Sequence, residues 1–318
     1  MILPEEIVRA EARLRPHLKE TPLEHSLYLS RLTGCQVYVK LENVQHTGSF
    51  KARGALNKML MLTPEQRARG VLAASTGNHG AAVAFGADKL GINSLIFVPE
   101  NASPAKVEAI RRLGAEIRVH GNDSVITEMF AREHAEKNGM TYISPYNDEH
   151  VIAGQGTIGV ELARQLDPID AVFVALGGGG MIAGIASYLK ALGKEIKIIG
   201  CSPQNSCVMI ESVKAGRVLE IASLPTLSDG TAGGVETDAI TLPLCRELVD
   251  DYVTVSEDEI REALLSFIET HHLLIEGSAA VAIAAFLKQS EKFHGKNVVI
   301  VICGGNIGLA MLKSILCA

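Results

Sequence analysis

Along most of this chain, short apolar runs alternate with stretches whose apolar positions recur three and four apart. Those are the periods of strands and of helices. The opening residues, MILPEEIVRAEARLRPHL, give an amphipathic helix with its acids early rather than a leader peptide. Thr21-Pro22-Leu23 is an extended lead-in, and 36–41 (QVYVKL) a strand. Strands follow at 71–75, 94–98, 116–119 and 140–144, with helices from the turn at Gly77 to 90, from the Ser103-Pro104 start to 113, and over 123–138. After Tyr146 the alternation resumes: helix 154–166, strand 171–176, helix 181–192 and strand 196–200. Residues 219–236 are rich in Gly, Ser, Thr and Pro and read as loop, 258–271 and 278–288 as helices, and 298–302 as a buried strand.

Strands separated by helices require right-handed crossovers, hence parallel sheets covered on both faces and an α/β class. No linker divides the chain. The expected organisation is a smaller α/β domain, 45–145, inserted into a larger one made of 1–44 and 146–318.

Composition narrows the partners. With 318 residues, 47% hydrophobic and 21% charged, the chain can bury a sizeable core. A net charge of −6 gives no electrostatic case for nucleic acid or an anionic membrane. The apolar runs 279–287 and 298–303 are too short to span a bilayer. Six scattered cysteines without a CxxC pair fit a reducing, cytoplasmic setting, neither a disulfide framework nor a zinc site.

The chemistry gathers around the stretch ENVQHTGSFKARGALN. Gly48 permits a turn, Ser49 is a candidate N-cap, and Lys51 falls in the first turn of a helix over 50–62. The positive helix end and partial desolvation both lower a lysine's pKa there, and a neutral amine condenses with aldehydes. Taken alone, Lys51 reads better as one of 30 Lys and Arg, on a solvated helix face.

Three strand-end turns change those odds, because open parallel sheets bind ligands at their strand C-terminal ends. The turn Ser75-Thr76-Gly77-Asn78-His79-Gly80 aims N–H groups and small hydroxyls at a carboxylate, or merely caps a helix. Gly177-Gly178-Gly179-Gly180-Met181 opens a helix with four consecutive glycines, a nest suited to one phosphate. Gly178, Gly180 and Ala183 also satisfy GxGxxA, but the next strand ends in Gly200-Cys201-Ser202 with no acid for a ribose, which disfavours a nicotinamide oxidoreductase. The third turn, Cys303-Gly304-Gly305-Asn306, holds a cysteine that is either a site group or a buried structural thiol.

An amine nucleophile, a phosphate nest and a polar strand end suit pyridoxal 5'-phosphate. On HTGSFKARGALN, STGNHG, VIAGQGTIGVEL, GGGGMIAGI and CGGN, in order and over nearly the whole chain, the sequence resembles the fold-type II pyridoxal-phosphate enzymes, in the threonine/serine dehydratase and serine racemase group. The segments LSDGTAGG and Thr270-His271-His272 look most like the hydroxyectoine-utilisation dehydratases. The resemblance implies two open parallel-sheet lobes of the tryptophan synthase β type. It also implies that Lys51 holds the cofactor and moves the Cα proton, Asn78 bonds the ring hydroxyl, and Gly177, Gly178, Gly179, Gly180 and Met181 give N–H groups to the phosphate. Cys303 would face the ring nitrogen, while Ser75, Thr76, Gly77, Asn78 and His79 would hold the substrate carboxylate. A homo-oligomer acting on a small amino acid is expected, with no appended regulatory domain.

Two departures from the family pattern matter. Cys303 stands where a serine or threonine is usual, so its bond to the ring nitrogen is weaker. The loop Cys201–Cys207 lacks the carboxylates of metal-binding members, so no metal is expected. Glu276 before Gly277-Ser278 could approach the cofactor, but as an acid near a helix start it has a sufficient structural reason. A neutral thiol, with an ordinary pKa of about 8.5, makes a weak electron sink that favours β-elimination over transamination. The expected reaction is therefore conversion of a β-hydroxy amino acid, such as L-threonine or L-serine, to a 2-oxo acid and ammonia. Racemisation on the same scaffold and β-replacement are the rivals. In racemases a serine serves as proton donor where Thr76 stands.

Overall fold

Two sheets organise the chain, and the computed structural model describes residues 2–317. The larger has six strands in the order β1 (Leu23–His25), β2 (Gln36–Leu41), β10 (Asn297–Ile302), β7 (Ala171–Ala175), β8 (Lys197–Pro203), β9 (Asp251–Val255). Only β1–β2 is antiparallel. The smaller has four parallel strands in the order β5 (Glu116–Val119), β4 (Ser94–Val98), β3 (Val71–Ala74), β6 (Thr141–Tyr142).

The interior strands of the large sheet are apolar without alternation because helices cover both their faces. Every residue of β7 is buried, and so is every residue of β10 after Asn297. Gly277–Gln289, a helix of alanines and branched residues, packs on one face. Glu149–Gln165 and Gly180–Ala191 pack against each other in the same lobe. The glycines of VIAGQGTIG have a packing reason. A Cβ on Gly154 would lie 2.7 Å from Gly54 Cα in the lysine helix, and one on Gly156 would lie 2.8 Å from Gly184 O. The three helices therefore cross nearly backbone to backbone.

Sheet order decides what can meet. β10 comes last in the chain yet lies between β2 and β7, with Ile302 opposite Leu41 and Ile300 opposite Phe173. The lysine loop after β2, Cys303 after β10 and the tetraglycine turn after β7 thus leave adjacent strands at the same end.

The structure differs from the sequence reading in several elements. β9 was not expected, since only Val253 and Val255 of DYVTV are buried and its charged start reads as loop. Pairing with β9 carries β8 on to Pro203, beyond its expected end at Gly200. Short helices at Leu27–Thr33, Val208–Ala215, Thr241–Leu248 and Leu309–Leu316 were also not expected. No helix among the described residues is long and apolar enough to cross a membrane.

A buried ion network ties the lysine helix to the large sheet. Arg53 Nε and Nη2 donate to Glu42 at 2.8 Å each, while Nη1 donates to Glu161 Oε1 at 2.6 Å and Nη2 to Glu161 Oε2 at 2.9 Å. Lys40 Nζ donates to Glu161 Oε2 at 2.5 Å and to Thr21 O at 2.7 Å. Burial opposes every one of these charges. It wins at Lys40, whose pKa falls, but loses at Glu161, which Arg53 and Lys40 hold below its ordinary 4.5. Arg53→Met leaves Glu42 and Glu161 short of a cation and should cost about 3–5 kcal/mol near neutral pH. A carboxylate whose folded pKa lies below its unfolded value contributes stability above the unfolded value and loses it as pH falls through the folded one. The gap in urea midpoints between the natural protein and Arg53→Met should therefore narrow below the ordinary carboxylate value of 4.5. An unchanged gap in acid would show that the network does not stabilise through its charges.

Candidate active site

The lysine loop is held by the third strand end. Gly305 N donates to Gly48 O at 2.9 Å, Ser49 bridges to Gly304, and Phe50 N donates to Cys303 O at 3.0 Å. Gly48 has φ +71°, and a Cβ there would lie 2.6 Å from Asn306 Oδ1. This pairing overturns the expected N-cap. Phe50, not Ser49, occupies the cap position of the helix Lys51–Leu60 and makes no side-chain cap bond. Drawn into the bridge with Gly304, Ser49 sits one residue too early to cap, and its Oγ is buried without a partner.

Lys51 is therefore the first residue of its helix. Its Nζ donates to Pro145 O at 2.8 Å and lies 5.1 Å from the Phe50 ring centre. Burial lowers its pKa from 10.5 to about 8, against the opposing pull of Cys303 and Glu276. A larger share of the amine is then unprotonated near neutral pH than in an exposed lysine.

In the turn after β3, Ser75 Oγ accepts from Gly77 N at 3.1 Å, and a Cβ on Gly77 would meet nothing within 4 Å. Thr76 is half-buried in that turn. Asn78 starts the helix Asn78–Leu90. His79 is buried with Nε2 2.7 Å from Ile143 O, and burial together with the charge of Lys51 lowers its pKa to about 3. It is neutral, and Nε2 carries the proton that Ile143 O accepts.

The tetraglycine turn passes the chemical test for a phosphate. The N–H groups of Gly177, Gly178, Gly179, Gly180 and Met181 donate to no acceptor among the described residues. They open the helix Gly180–Ala191, so fixed N–H dipoles converge with the positive helix end. Side chains are excluded: a Cβ would lie 2.9 Å from Thr231 O at Gly177, 2.4 Å from the Tyr146 ring at Gly178 and 2.9 Å from Tyr146 Cβ at Gly180. Gly179 has φ +87°. The Met181 side chain belongs to the core, leaving only its N–H for a ligand.

Three residues at this cleft lay outside the predicted set. Tyr146 follows the Pro145 carbonyl that holds Lys51, packs its ring on the glycines and accepts from Glu236 N at 2.8 Å. Nothing around it in the sequence marks it. Asn306 was quoted in CGGN without a role, although that motif was the available signal. Glu276 does occupy the residue before the helix Gly277–Gln289, but its side chain makes no cap bond there. Only 4% exposed, it accepts from Asn78 Nδ2 at 2.9 and 3.0 Å and from Asn306 N at 3.2 Å, with Cys303 Sγ at 4.0 Å. The CGGN motif makes room for it, since a Cβ on Gly304 would lie 2.7 Å from its Oε1. Burial raises the pKa of Glu276. Burial first and Glu276 second push the Cys303 thiol well above its ordinary 9.0, so it is neutral.

Known proteins resemble this chain in sequence and in fold. An L-threonine ammonia-lyase of Thermotoga maritima is 42% identical over 99% of this chain and 78% of its own length. A catabolic L-threonine dehydratase of Staphylococcus aureus is 40% identical over 98% of this chain and 91% of its own. Among solved structures, threonine deaminase isoform 2 of Solanum lycopersicum superposes with a TM-score of 0.93 at 34% identity, covering 98% of this chain and 92% of that one. Maize serine racemase does so with 0.92 at 33% identity, covering 99% and 96%. The sequence pattern of the pyridoxal-phosphate dependent enzymes matches residues 14–304, and the chain belongs to that family, in its fold-type II branch.

Proposed function

We propose that this protein converts L-threonine, and L-serine beside it, to the 2-oxo acid and ammonia. The observation that carries this reading is a lysine amine with its pKa lowered to about 8, set in one cleft with five N–H groups that have no protein acceptor. The names of the relatives that share about 40% of its residues support threonine as the substrate. In net terms water leaves across Cα and Cβ and returns when the released product hydrolyses, expelling ammonia.

Pyridoxal phosphate, when bound, supplies an aldehyde carbon for an amine and a ring that accepts the electrons left behind at Cα. The residues of the chain do the rest. The N–H groups of Gly177 to Met181 hold the phosphate, and Lys51 Nζ anchors the cofactor. Released from that duty, the same amine removes the Cα proton, which a burial-lowered pKa permits near neutrality. The turn from Ser75 to His79 receives the substrate carboxylate on N–H groups, and His79, kept neutral, brings no competing charge. Asn78 meets the ring hydroxyl. Cys303, a neutral thiol, offers the ring nitrogen only a weak bond, which suits rapid loss of the β-hydroxyl. We read the enzyme as a cytoplasmic homo-oligomer. The likeness to serine racemase keeps racemisation as a second reading.

Lys51→Ala should abolish both turnover and the visible absorbance of the bound cofactor. A variant that keeps a band resistant to dialysis and reducible by borohydride would show that another amine is the anchor.

Thr76 decides between elimination and racemisation. Inversion needs a proton donor on each face of Cα, and Lys51 serves one. Threonine keeps a hydroxyl for the other, but its methyl stiffens χ1 and crowds that face. Thr76→Ser should raise the ratio of inverted amino acid to oxo acid, and Thr76→Ala should abolish inversion while leaving some elimination. Chiral chromatography of recovered serine beside an ammonia assay reads both. Production of D-serine faster than ammonia by the natural protein would replace the lyase reading with the racemase one.

A further inference from the structure

We propose that Glu276 and Asn306 are positioning residues that lock the Asn78 carboxamide in one orientation, so that it offers the cofactor ring a hydrogen-bond donor and never an acceptor. The inference rests on the placement of Asn78 beside the ring hydroxyl in the proposed function.

A carboxamide presents an acceptor at one end and donors at the other, and only its neighbours decide which end faces where. Here a chain of obligatory partners decides it. Thr47 O, a backbone carbonyl, can only accept, and it lies 2.8 Å from the Asn306 amide, which fixes that end of Asn306 as Nδ2. The same Nδ2 lies 2.6 Å from Asn78, so the atom facing it must be Oδ1. The other end of Asn78 is then Nδ2, and it meets the Glu276 carboxyl at 2.9 and 3.0 Å. Turning Asn78 over would set oxygen against oxygen at Glu276 and nitrogen against nitrogen at Asn306. Glu276 is itself held by Asn306 N at 3.2 Å, which closes the loop. Either charge state of Glu276 serves, because a neutral carboxyl keeps a carbonyl oxygen that accepts.

With Oδ1 occupied by Asn306 and one N–H shared between the Glu276 oxygens, the group left on Asn78 is its second N–H. A donor stabilises an ionised ring oxygen, whereas an acceptor would stabilise the protonated one. The clamp therefore acts on the protonation of the cofactor, which its absorbance reports directly. It also explains why Glu276 is withheld from capping its own helix.

The test is a pH titration of the visible absorbance of the holoenzyme, with cofactor affinity measured in parallel. Asn306→Asp turns the donor facing Oδ1 into an acceptor. Glu276→Ala removes both oxygens that accept from Asn78 Nδ2, whereas Glu276→Gln keeps one carbonyl oxygen within reach of it and is the conservative control. Asn306→Asp and Glu276→Ala should each free or reverse the Asn78 amide and raise the midpoint of the spectral change by about one pH unit, equal to about tenfold in the ionisation equilibrium, while Glu276→Gln should leave it near that of the natural protein. Asn306→Ala, which only removes the outer donor, should shift it less and in the same direction. Asn78→Ala is the reference. If it shifts the midpoint while Glu276→Ala and the Asn306 variants change only thermal stability, the two residues are scaffold and the clamp is refuted. If Asn78→Ala itself leaves the titration unchanged, Asn78 does not meet the ring hydroxyl, and that part of the functional reading falls with the clamp. Should Asn306→Asp fail to retain cofactor, the contrast between Glu276→Ala and Glu276→Gln carries the decision.

Discussion

Arg53 and its two carboxylates fix where the reactive lysine stands. The guanidinium is two residues beyond Lys51, and four of its hydrogen bonds reach Glu42, directly after β2, and Glu161, deep in the helix Glu149–Gln165. Its fork has little freedom once both carboxylates are engaged. The first turn of the lysine helix is thereby set in translation and rotation against the large sheet. The cluster is electrically balanced, two cations against two carboxylates, all at most 4% exposed. Such a group gains little net stability over apolar packing, but losing one member strands the others in a low dielectric. The arrangement thus favours one geometry strongly without adding much to overall stability, which suits a helix whose starting residue is the proposed nucleophile.

On that fixed helix the sheet order does the assembling. Because β10 lies between β2 and β7, three chemically different turns leave neighbouring strands, and backbone bonds between 48–50 and 303–305 stitch two of them together. Tyr146 joins the third, pressed on the tetraglycine turn one residue beyond the carbonyl that holds Lys51. The small sheet supplies the Asn78 turn, joined to the large one through Glu276 and Asn306.

How much of this was legible depended on whether a local pattern had a local cause. The strands Gln36–Leu41 and Ser94–Val98 stand where their periodicity placed them, since burial on both faces or alternate burial leaves its mark in sequence. The glycines at 177–180 declared themselves because no residue with a Cβ fits there. The failures came from distant partners. Ser49 has every local qualification for a cap, but Gly304, far along the chain, claims its backbone. Glu276 has every qualification for stabilising a helix start, but Asn78 and Asn306 claim its carboxyl. Edge strand β9 buries only two side chains and depends on β8 for its existence.

The electrostatics of the cleft have one cause acting on unlike groups. Desolvation brings the Lys51 amine down to about 8, takes His79 down to about 3, and moves Cys303 and Glu276 upward. Each shift favours the uncharged form, so His79 and Cys303 bring no charge near neutral pH and Lys51 carries less than an exposed lysine does. In the proposed function the phosphate and the substrate carboxylate would meet N–H groups at helix starts, which need no reorganisation to receive them. A cationic side chain beside Lys51 would lower its pKa further but would also draw the carboxylate away from the turn that should hold it. Burial alone lowers the pKa of the amine without creating that competitor, and this is why an uncharged thiol and a neutral histidine are compatible with the two anions that the proposed function brings to the cleft.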